Sequence, residues 1–212
     1  MTRILMIGAN GRIARLAADL LLAETDAELV LFLRKPERLR NQGSGRVELV
    51  AGDASDTAAL AEAMRGCDLV YSGLGPDNSI EHVQSIIAAM GRAEVRRLIY
   101  VSALGVHDEV PGAFGRWNQS MVGIYMDDHK KAVRLLEASD LDYTILRLAW
   151  LTDYDEVDYE TTAKGEPFRG TEVSRKSVAD LVLRLVTDPD LMSRASVGVD
   201  KPGTDGDRPA FY

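Results

Sequence analysis

The chain has 212 residues, 46% hydrophobic and 27% charged, a balance typical of a globular protein that buries a core without cross-links. Its formal net charge of -8 argues against nucleic-acid binding, because phosphate contacts dominate that affinity. A lone cysteine, Cys67, excludes an internal disulfide and fits a reducing compartment. No apolar run approaches the roughly 20 residues of a spanning helix, and the start carries no signal-peptide pattern. We therefore expect a cytoplasmic protein without a membrane segment.

Short β-rich runs alternate with helical patterns along most of the chain. Strands are predicted at Arg3–Ile7, Glu28–Leu33, Arg46–Val50, Leu69–Ser72, Arg97–Ser102 and Asp142–Leu148. A first helix follows strand one, with one apolar face formed by Ile13, Leu16, Ala17, Leu20 and Leu21. Further helical patterns lie near 57–65, 79–91, 117–138 and 174–187. Near-continuous apolar strands separated by helices predict an α/β fold with a Rossmann-type, doubly wound parallel sheet.

The periodicity ends near residue 150. Residues 152–173 and 200–212 are polar, contain glycine and proline, and lack a clear period, which predicts loops over the sheet. We therefore expect residues 1–212 to form a single domain, with segment 150–212 on its substrate side. The tail 200–212 could equally be a mobile end.

A glycine turn connects the first strand and helix. It reads Gly8-Ala9-Asn10-Gly11-Arg12-Ile13-Ala14, and this strand–turn–helix context predicts a dinucleotide site. Gly8 permits the tight turn, Gly11 lets the backbone approach a pyrophosphate, and the helix N-terminus presents free N–H groups to it. The alternative is a glycine-rich connection without a ligand. The expected cofactor-binding residues here are Gly8, Asn10, Gly11, Arg12 and Ile13.

Residues after the next three strands extend this cofactor site. Arg34 follows strand two, where an NAD-specific site usually has an acid, and it suits the 2′-phosphate of NADP(H), which Arg12 could also reach. Asp53 follows strand three and could bind adenine, or could equally be a turn aspartate. Gly73 and Gly75 follow strand four, where the backbone could border the cofactor or form a plain loop. The sequence thus favours NADP(H) over NAD(H).

Together these motifs resemble the atypical short-chain dehydrogenase/reductase family, within its NAD(P)H-binding, NmrA-like and flavin/biliverdin-reductase-like subgroup. The resemblance covers about residues 3–190 and rests on GANGRIA (8–14), LRKPERL (33–39), GDASD (52–56), YVSALG (100–105), residues 125–147 and SRKSVADLV (174–182). It implies a Rossmann fold and a serine beside the nicotinamide, which here is Ser102.

The catalytic helix departs from the family pattern, Tyr-x-x-x-Lys. The matching positions are Tyr125 and His129, which share a helix face, whereas Lys130 points elsewhere. A histidine is mostly neutral near pH 7 and lowers the pKa of a tyrosine less than a lysine does. We take Ser102, Tyr125 and His129 as the candidate catalytic residues; the alternatives are a cleft-wall aromatic for Tyr125 and a surface residue for His129.

Two functions from different classes remain. The first is an NADP(H)-dependent oxidoreductase that reduces a small carbonyl, quinone or flavin-like acceptor. The second is a non-catalytic NADP(H) sensor that regulates a partner protein, which the histidine at position 129 favours and the retained Ser102 and Tyr125 oppose. No histidine spacing predicts a metal site, and whether the chain pairs with a second copy is left open.

We expect the protein to bind NADP(H) more tightly than NAD(H). A charge-assisted hydrogen bond from Arg34 to the 2′-phosphate would contribute about 1.5–3 kcal/mol, or roughly tenfold or more in affinity. Calorimetric titration with the two reduced cofactors measures the ratio directly. Equal affinities, or a preference for NADH, would contradict the assignment of Arg34.

Overall fold

A computed structural model describes residues 1–39 and 45–212. Its strands are β1 (Arg3–Ile7), β2 (Glu28–Leu33), β3 (Val47–Ala51), β4 (Leu69–Ser72), β5 (Arg97–Ala103), β6 (Asp142–Leu148), β7 (Trp150–Thr152), β8 (Glu160–Thr162), β9 (Glu172–Ser174) and β10 (Ala195–Asp200). Its helices are α1 (Arg12–Glu24), α2 (Thr57–Ala63), α3 (Ser79–Ala93), α4 (Gly112–Glu137) and α5 (Arg175–Thr187), with a short 3-10 helix at Pro36–Leu39. The six predicted strands and the predicted helices are present, with ends shifted by a few residues.

The strands form an eight-stranded sheet in the order β3-β2-β1-β4-β5-β6-β10-β8, and β7 pairs with β9 separately. Every pairing in the large sheet is parallel except that of β8 with β10. The order reverses between β1 and β4, and in open parallel sheets ligands bind at such a point, beyond the carboxyl ends of the strands. The Rossmann-type prediction is therefore confirmed.

Two apolar clusters cover the two faces of the sheet. One, called here the α1/α5 cluster, contains Ala17 of α1 and Leu181 of α5. The other, the α2–α4 cluster, contains Leu60 of α2, Ile86 of α3 and Val133 of α4. Helices on both faces explain why the central strands are apolar at nearly every position.

The predicted apolar face of α1 was partly wrong. The side buried against the sheet consists of Ala14, Ala17, Ala18 and Leu21, whereas Leu16 is 37% exposed. Small alanines face inward because α1 packs closely against α5 along its length. Hydrophobic periodicity alone does not show whether the alanines or the larger apolar residues beside them form the buried face of a helix.

The prediction of loops at 152–173 was also wrong in part, because β8 lies within that segment, and β10 was not predicted. β10 adds a parallel strand beside β6, and β8 pairs with it in the antiparallel sense at the sheet edge. The tail is not a loose end: the ring of Tyr212 lies 5.1 Å from that of Trp117 and 5.2 Å from that of Trp150. Gly198 and short strands hide the β pattern of this region from a sequence reading.

A buried carboxyl group lies at the end of β10. Asp200 is 1% exposed; its Oδ2 accepts a hydrogen bond from the N–H of Gly170 at 3.0 Å. Its Oδ1 has no hydrogen-bond partner among the described residues. Burial, together with the charge of Glu160, its cross-strand neighbour, raises the pKa of Asp200 to about 6.

We expect Asp200→Asn to stabilise the protein at pH 8. The folded chain holds a proton that the unfolded chain, with an ordinary pKa of 3.8, gives up, so stability falls as pH rises between about 4 and 6. The neutral amide avoids this loss, which is at most about 3 kcal/mol. Urea denaturation at pH 4 and pH 8 measures both effects, and a variant no more stable than the parent at pH 8 contradicts the assignment.

Candidate functional site

The glycine turn packs against the end of β4. Gly8 has a φ of +75°, and a Cβ there would lie 2.8 Å from the carbonyl oxygen of Gly73. The N–H of Gly11 donates to the carbonyl of Gly8 at 2.9 Å, and that of Gly73 donates to the carbonyl of Ile7 at 3.1 Å. The structure thus brings Gly8, Gly11 and Gly73 together at the point where the strand order reverses.

Helix α1 begins at this turn without a side-chain cap. Gly11 is its N-cap, in extended conformation, and no side chain accepts from the first turn. The first amide groups of a helix need acceptors from outside it, and an anionic group supplies them. Gly11 and Arg12 are exposed and Asn10 and Ile13 half-buried, so this end of the helix is open to a ligand.

Arg34 and Asp53 lie near each other at the ends of β2 and β3. Arg34 is exposed and forms no side-chain hydrogen bond or ion pair with the part of the chain that the structure describes. Asp53 accepts hydrogen bonds from the N–H and hydroxyl of Ser55, at 3.0 and 2.8 Å. These bonds, and the Arg34 charge, lower the pKa of Asp53. The turn-forming role of Asp53 is therefore present, and it leaves one carboxylate oxygen for another donor.

Gly75 plays a different part from Gly73. A Cβ at Gly75 would meet nothing within 4 Å, so neighbouring atoms do not require a glycine there. At Gly73 a Cβ would lie 2.6 Å from the hydroxyl of Tyr71. Only Gly73 of this pair is needed for packing around the turn.

Ser102 is the second-last residue of β5, on the face of the sheet that α4 covers. Alternate residues of a strand share a face, and Leu98 and Tyr100 belong to the α2–α4 cluster, so Ser102 faces the same way. Ser102 is 6% exposed, and its hydroxyl has no hydrogen-bond partner among residues 1–39 and 45–212. An unpaired buried hydroxyl costs free energy unless something else, such as a ligand, pairs with it.

Tyr125 and His129 occupy adjacent turns of α4. Tyr125 is 43% exposed, and Met126 beside it is buried in the α2–α4 cluster. His129 is half-buried, and this burial lowers its pKa, so that the ring is neutral at pH 7. Its Nδ1 lacks a hydrogen-bond partner within the described chain. No contact joins Ser102, Tyr125 and His129 directly, so their joint role stays a prediction.

Lys130 is directed away from this pair. Its Nζ lies 2.5 Å from Oδ1 of Asp108, in the loop between β5 and α4. That loop is fixed by Glu109, whose carboxylate accepts from the N–H groups of Gly105 and His107 and from Arg147 Nη1 at 2.7 Å. Burial raises the pKa of Glu109, but hydrogen bonds from Arg147 and from the backbone N–H groups of Glu109 itself and Gly105 outweigh it, and the pKa lies below its ordinary value.

Sequence reasoning missed two features of this edge. Ser72 ends β4 with a fully buried hydroxyl that has no hydrogen-bond partner in the described ranges; its only signal was a serine before Gly73. Arg12 pairs with Asp153, after β7, at 2.5 Å, and not with a group near Arg34. No local pattern joins residues that far apart in the chain. Within the described chain, no three His, Cys, Asp or Glu side chains come together as a metal site.

We expect Gly11→Val to abolish NADPH binding and to leave most of the fold intact. The valine side chain would fill the space over the first turn of α1, where even a Cβ at position 11 would lie 3.2 Å from the carbonyl oxygen of Gly8. The loss of stability should not exceed about 2 kcal/mol, since the turn is exposed. Fluorescence titration and thermal melting measure the two effects. Gly91→Ala, where a Cβ meets nothing within 4 Å, is the matched control, and undiminished binding by Gly11→Val would refute the site.

Comparison with known proteins shows the family of this chain and the cofactor of that family. The model of the NAD(P)H-binding family matches residues 8–189. A short-chain dehydrogenase/reductase from Veillonella parvula, solved in complex with NADP, superposes with a TM-score of 0.93 at 31% identity, over 99% of both chains. The anaerobilin reductase ChuY from Escherichia coli O157:H7 has a TM-score of 0.80 at 25% identity, over 97% of this chain and all of ChuY.

One relative is named as an epimerase and not as a reductase. The uncharacterized sugar epimerase YhfK of Bacillus subtilis is 27% identical over 204 residues, covering 91% of this chain and 92% of YhfK. Among residues 1–39 and 45–212, no helix has the length and apolar character that crossing a membrane requires. The family match, the sheet order and the glycine turn agree, and the chain belongs to the NAD(P)H-binding family of Rossmann-fold, short-chain-dehydrogenase-like oxidoreductases.

Proposed function

We propose that this protein is an NADPH-dependent reductase of a small carbonyl, quinone or flavin-like acceptor. The observation that carries the proposal is Ser102, a buried, unpaired hydroxyl at the carboxyl end of β5, on the face that α4 covers. The NADP complex of the Veillonella protein and the reductase activity in the name of ChuY support the cofactor and the reaction class.

The chain's own residues divide the work between binding and proton transfer. The open first turn of α1 binds the pyrophosphate through backbone N–H groups, and Arg34 pairs with the 2′-phosphate. Asp53 accepts from the adenine amino group with the oxygen that Ser55 leaves free. Gly73 borders the dinucleotide with backbone alone. When bound, NADPH supplies a hydride to the acceptor.

Ser102 and Tyr125 act on the acceptor. The Ser102 hydroxyl donates to the acceptor oxygen and orients it, since no group of residues 1–39 or 45–212 competes for that hydrogen bond. Tyr125, exposed beside the buried face of α4, gives a proton to the oxygen as charge develops there. His129 contributes no fixed charge, because its lowered pKa keeps it neutral; it positions the tyrosine and a ribose hydroxyl by hydrogen bonding.

A neutral His129 makes this chain a weaker acid catalyst than a protein with lysine at that position. Acceptors that need little proton transfer, such as quinones and flavins, are therefore favoured over simple ketones. The same observation supports the second candidate function, an NADP(H) sensor without catalysis. The two candidates differ in whether NADPH is consumed.

We expect Tyr125→Phe to cut the turnover of a carbonyl acceptor by about 100-fold, the usual scale for a lost general acid. Turnover of a quinone should fall much less, because water can supply the proton. His129→Lys restores a fixed charge one turn away and should raise the carbonyl rate of the parent. NADPH oxidation at 340 nm with a panel of quinones, flavins and aldehydes measures all three proteins.

The outcomes separate the candidates. Equal carbonyl rates for Tyr125→Phe and the parent would remove Tyr125 from the mechanism. No oxidation of NADPH with any acceptor, while binding stays tight, would favour the sensor. Cofactor affinity should stay within about twofold in Tyr125→Phe, since tyrosine and phenylalanine differ only by the hydroxyl.

A further inference from the structure

Three charged side chains link the glycine turn to the segment that follows β7. Arg12 Nη1 lies 2.5 Å from Oδ2 of Asp153, and Arg175 Nη1 lies 2.7 Å from Oδ1 of the same carboxylate. Arg12 is on the first turn of α1, and Arg175 is on the first turn of α5. Each carboxylate oxygen of Asp153 thus pairs with an arginine from a different helix.

This network lies at one edge of the sheet for a topological reason. α1 follows β1 and α5 precedes β10, so both helices begin at the carboxyl ends of the parallel strands and pack side by side. Between them is a groove whose lining includes Arg12, Leu16, Asp153 and Tyr154. The exposure of Leu16 is explained by its place in the lining.

The network also borders the cofactor site from one side. The pyrophosphate position lies at the start of α1, where Arg12 is the first helical residue. β7 comes one residue after β6, the strand that pairs with β5 and places Arg147 opposite Ser102. The ion pair therefore joins the start of α1 to the segment that leaves β6, the strand beside β5, on the face that carries the α1/α5 cluster.

We propose that Asp153 is a cofactor-positioning residue: anchored by Arg175, it holds the Arg12 guanidinium across the bound dinucleotide and slows release of NADP(H). The network of Arg12, Asp153 and Arg175 is called here the clasp. Its role rests on the dinucleotide site of the proposed function and not on the acceptor. Arg12 donates one N–H group to Asp153. Because a guanidinium group has five N–H donors, others remain for phosphate oxygens.

Charge and exposure explain how the clasp works. The Arg12 side chain is 67% exposed, and without Asp153 it would have to be immobilised when the cofactor binds, at an entropic cost. Arg175, with a side chain only 15% exposed, offsets the charge of Asp153, so the three residues together carry one positive charge toward the phosphates. Without Arg175, the carboxylate would repel them.

The test measures NADPH release in the absence of any acceptor. Stopped-flow fluorescence should give a dissociation rate about threefold to fivefold faster for Asp153→Asn than for the parent, the scale of a solvent-exposed ion pair. The excess should shrink at high salt, because salt screens the pair. Asp155→Asn is the matched control: Asp155 lies on the same segment and pairs with Lys176 at 2.6 Å, without touching Arg12. Its release rate should equal that of the parent.

A double-mutant cycle with Arg12→Gln isolates the pair. In a clasp, the double variant releases NADPH no faster than Arg12→Gln alone, because either change breaks the same link. Unchanged or slower release by Asp153→Asn overturns the proposal, since it would make the carboxylate a bystander or a competitor of the phosphates. Far-UV circular dichroism and thermal melting of each variant establish that the fold is kept.

The result is independent of catalysis. Faster release by Asp153→Asn in a protein that reduces no acceptor supports the clasp and contradicts the reductase. Unchanged release in an active reductase contradicts the clasp and leaves the proposed function intact. A parent protein that binds no NADPH would contradict both.

Discussion

The close approach of two backbone segments at the middle of the sheet is the constraint on which the cofactor site depends. Gly8 turns with a positive φ directly against the carbonyl of Gly73, and a Cβ at Gly8 would lie 2.8 Å from that oxygen. Only a chain without a side chain there lets α1 begin at the sheet edge with its first amide groups free. The direction of α1 and the position of Arg12 follow from that turn.

A second constraint acts on the acceptor side. Arg147 and Glu109 form an ion pair at 2.7 Å with side chains 0% and 3% exposed. Such a pair is weak support for stability on its own, but removing one partner strands the other charge. Here Glu109 also binds the N–H groups of Gly105 and His107, so the pair fixes the loop that leads from Ser102 into α4.

The two ends of the proposed site differ in how fully their chemistry is provided. The proposed phosphate end has a shaped turn, free amide groups and the unpaired cation Arg34 within the described chain. The proposed nicotinamide end has unpaired buried hydroxyls, an exposed Tyr125 and a neutral His129. Binding therefore has more support from the geometry than proton transfer has. This asymmetry fits an enzyme whose cofactor carries the chemistry, and the Arg12–Asp153–Arg175 network would make cofactor release the step that the chain controls.

The sequence by itself determined the parts of this protein that local pattern encodes. Apolar runs separated by helical periods predicted six strands of the sheet, because a central strand covered on both faces is apolar at nearly every position. The glycines at 8 and 11 marked the turn, because Gly8 has a positive φ that few other residues adopt and a side chain at Gly11 would crowd the carbonyl of Gly8. Arg34 was found because it directly follows a strand, and Ser102 because it stands at the end of one, since all parallel strands end at one edge.

Tertiary structure decided what depends on contacts distant in the chain. β10 and β8 exist as strands because β6 offers an open edge, not because ASVGVD or ETT requires it. Leu16 lost its place in the core because α5 packs on the alanine side of α1. The neutral state of His129 comes from its burial, and the link from Arg12 to Asp153 comes from two helices that begin side by side. Burial and long-range pairing arise only when the helices and the sheet pack together, so a local stretch of sequence does not predict them.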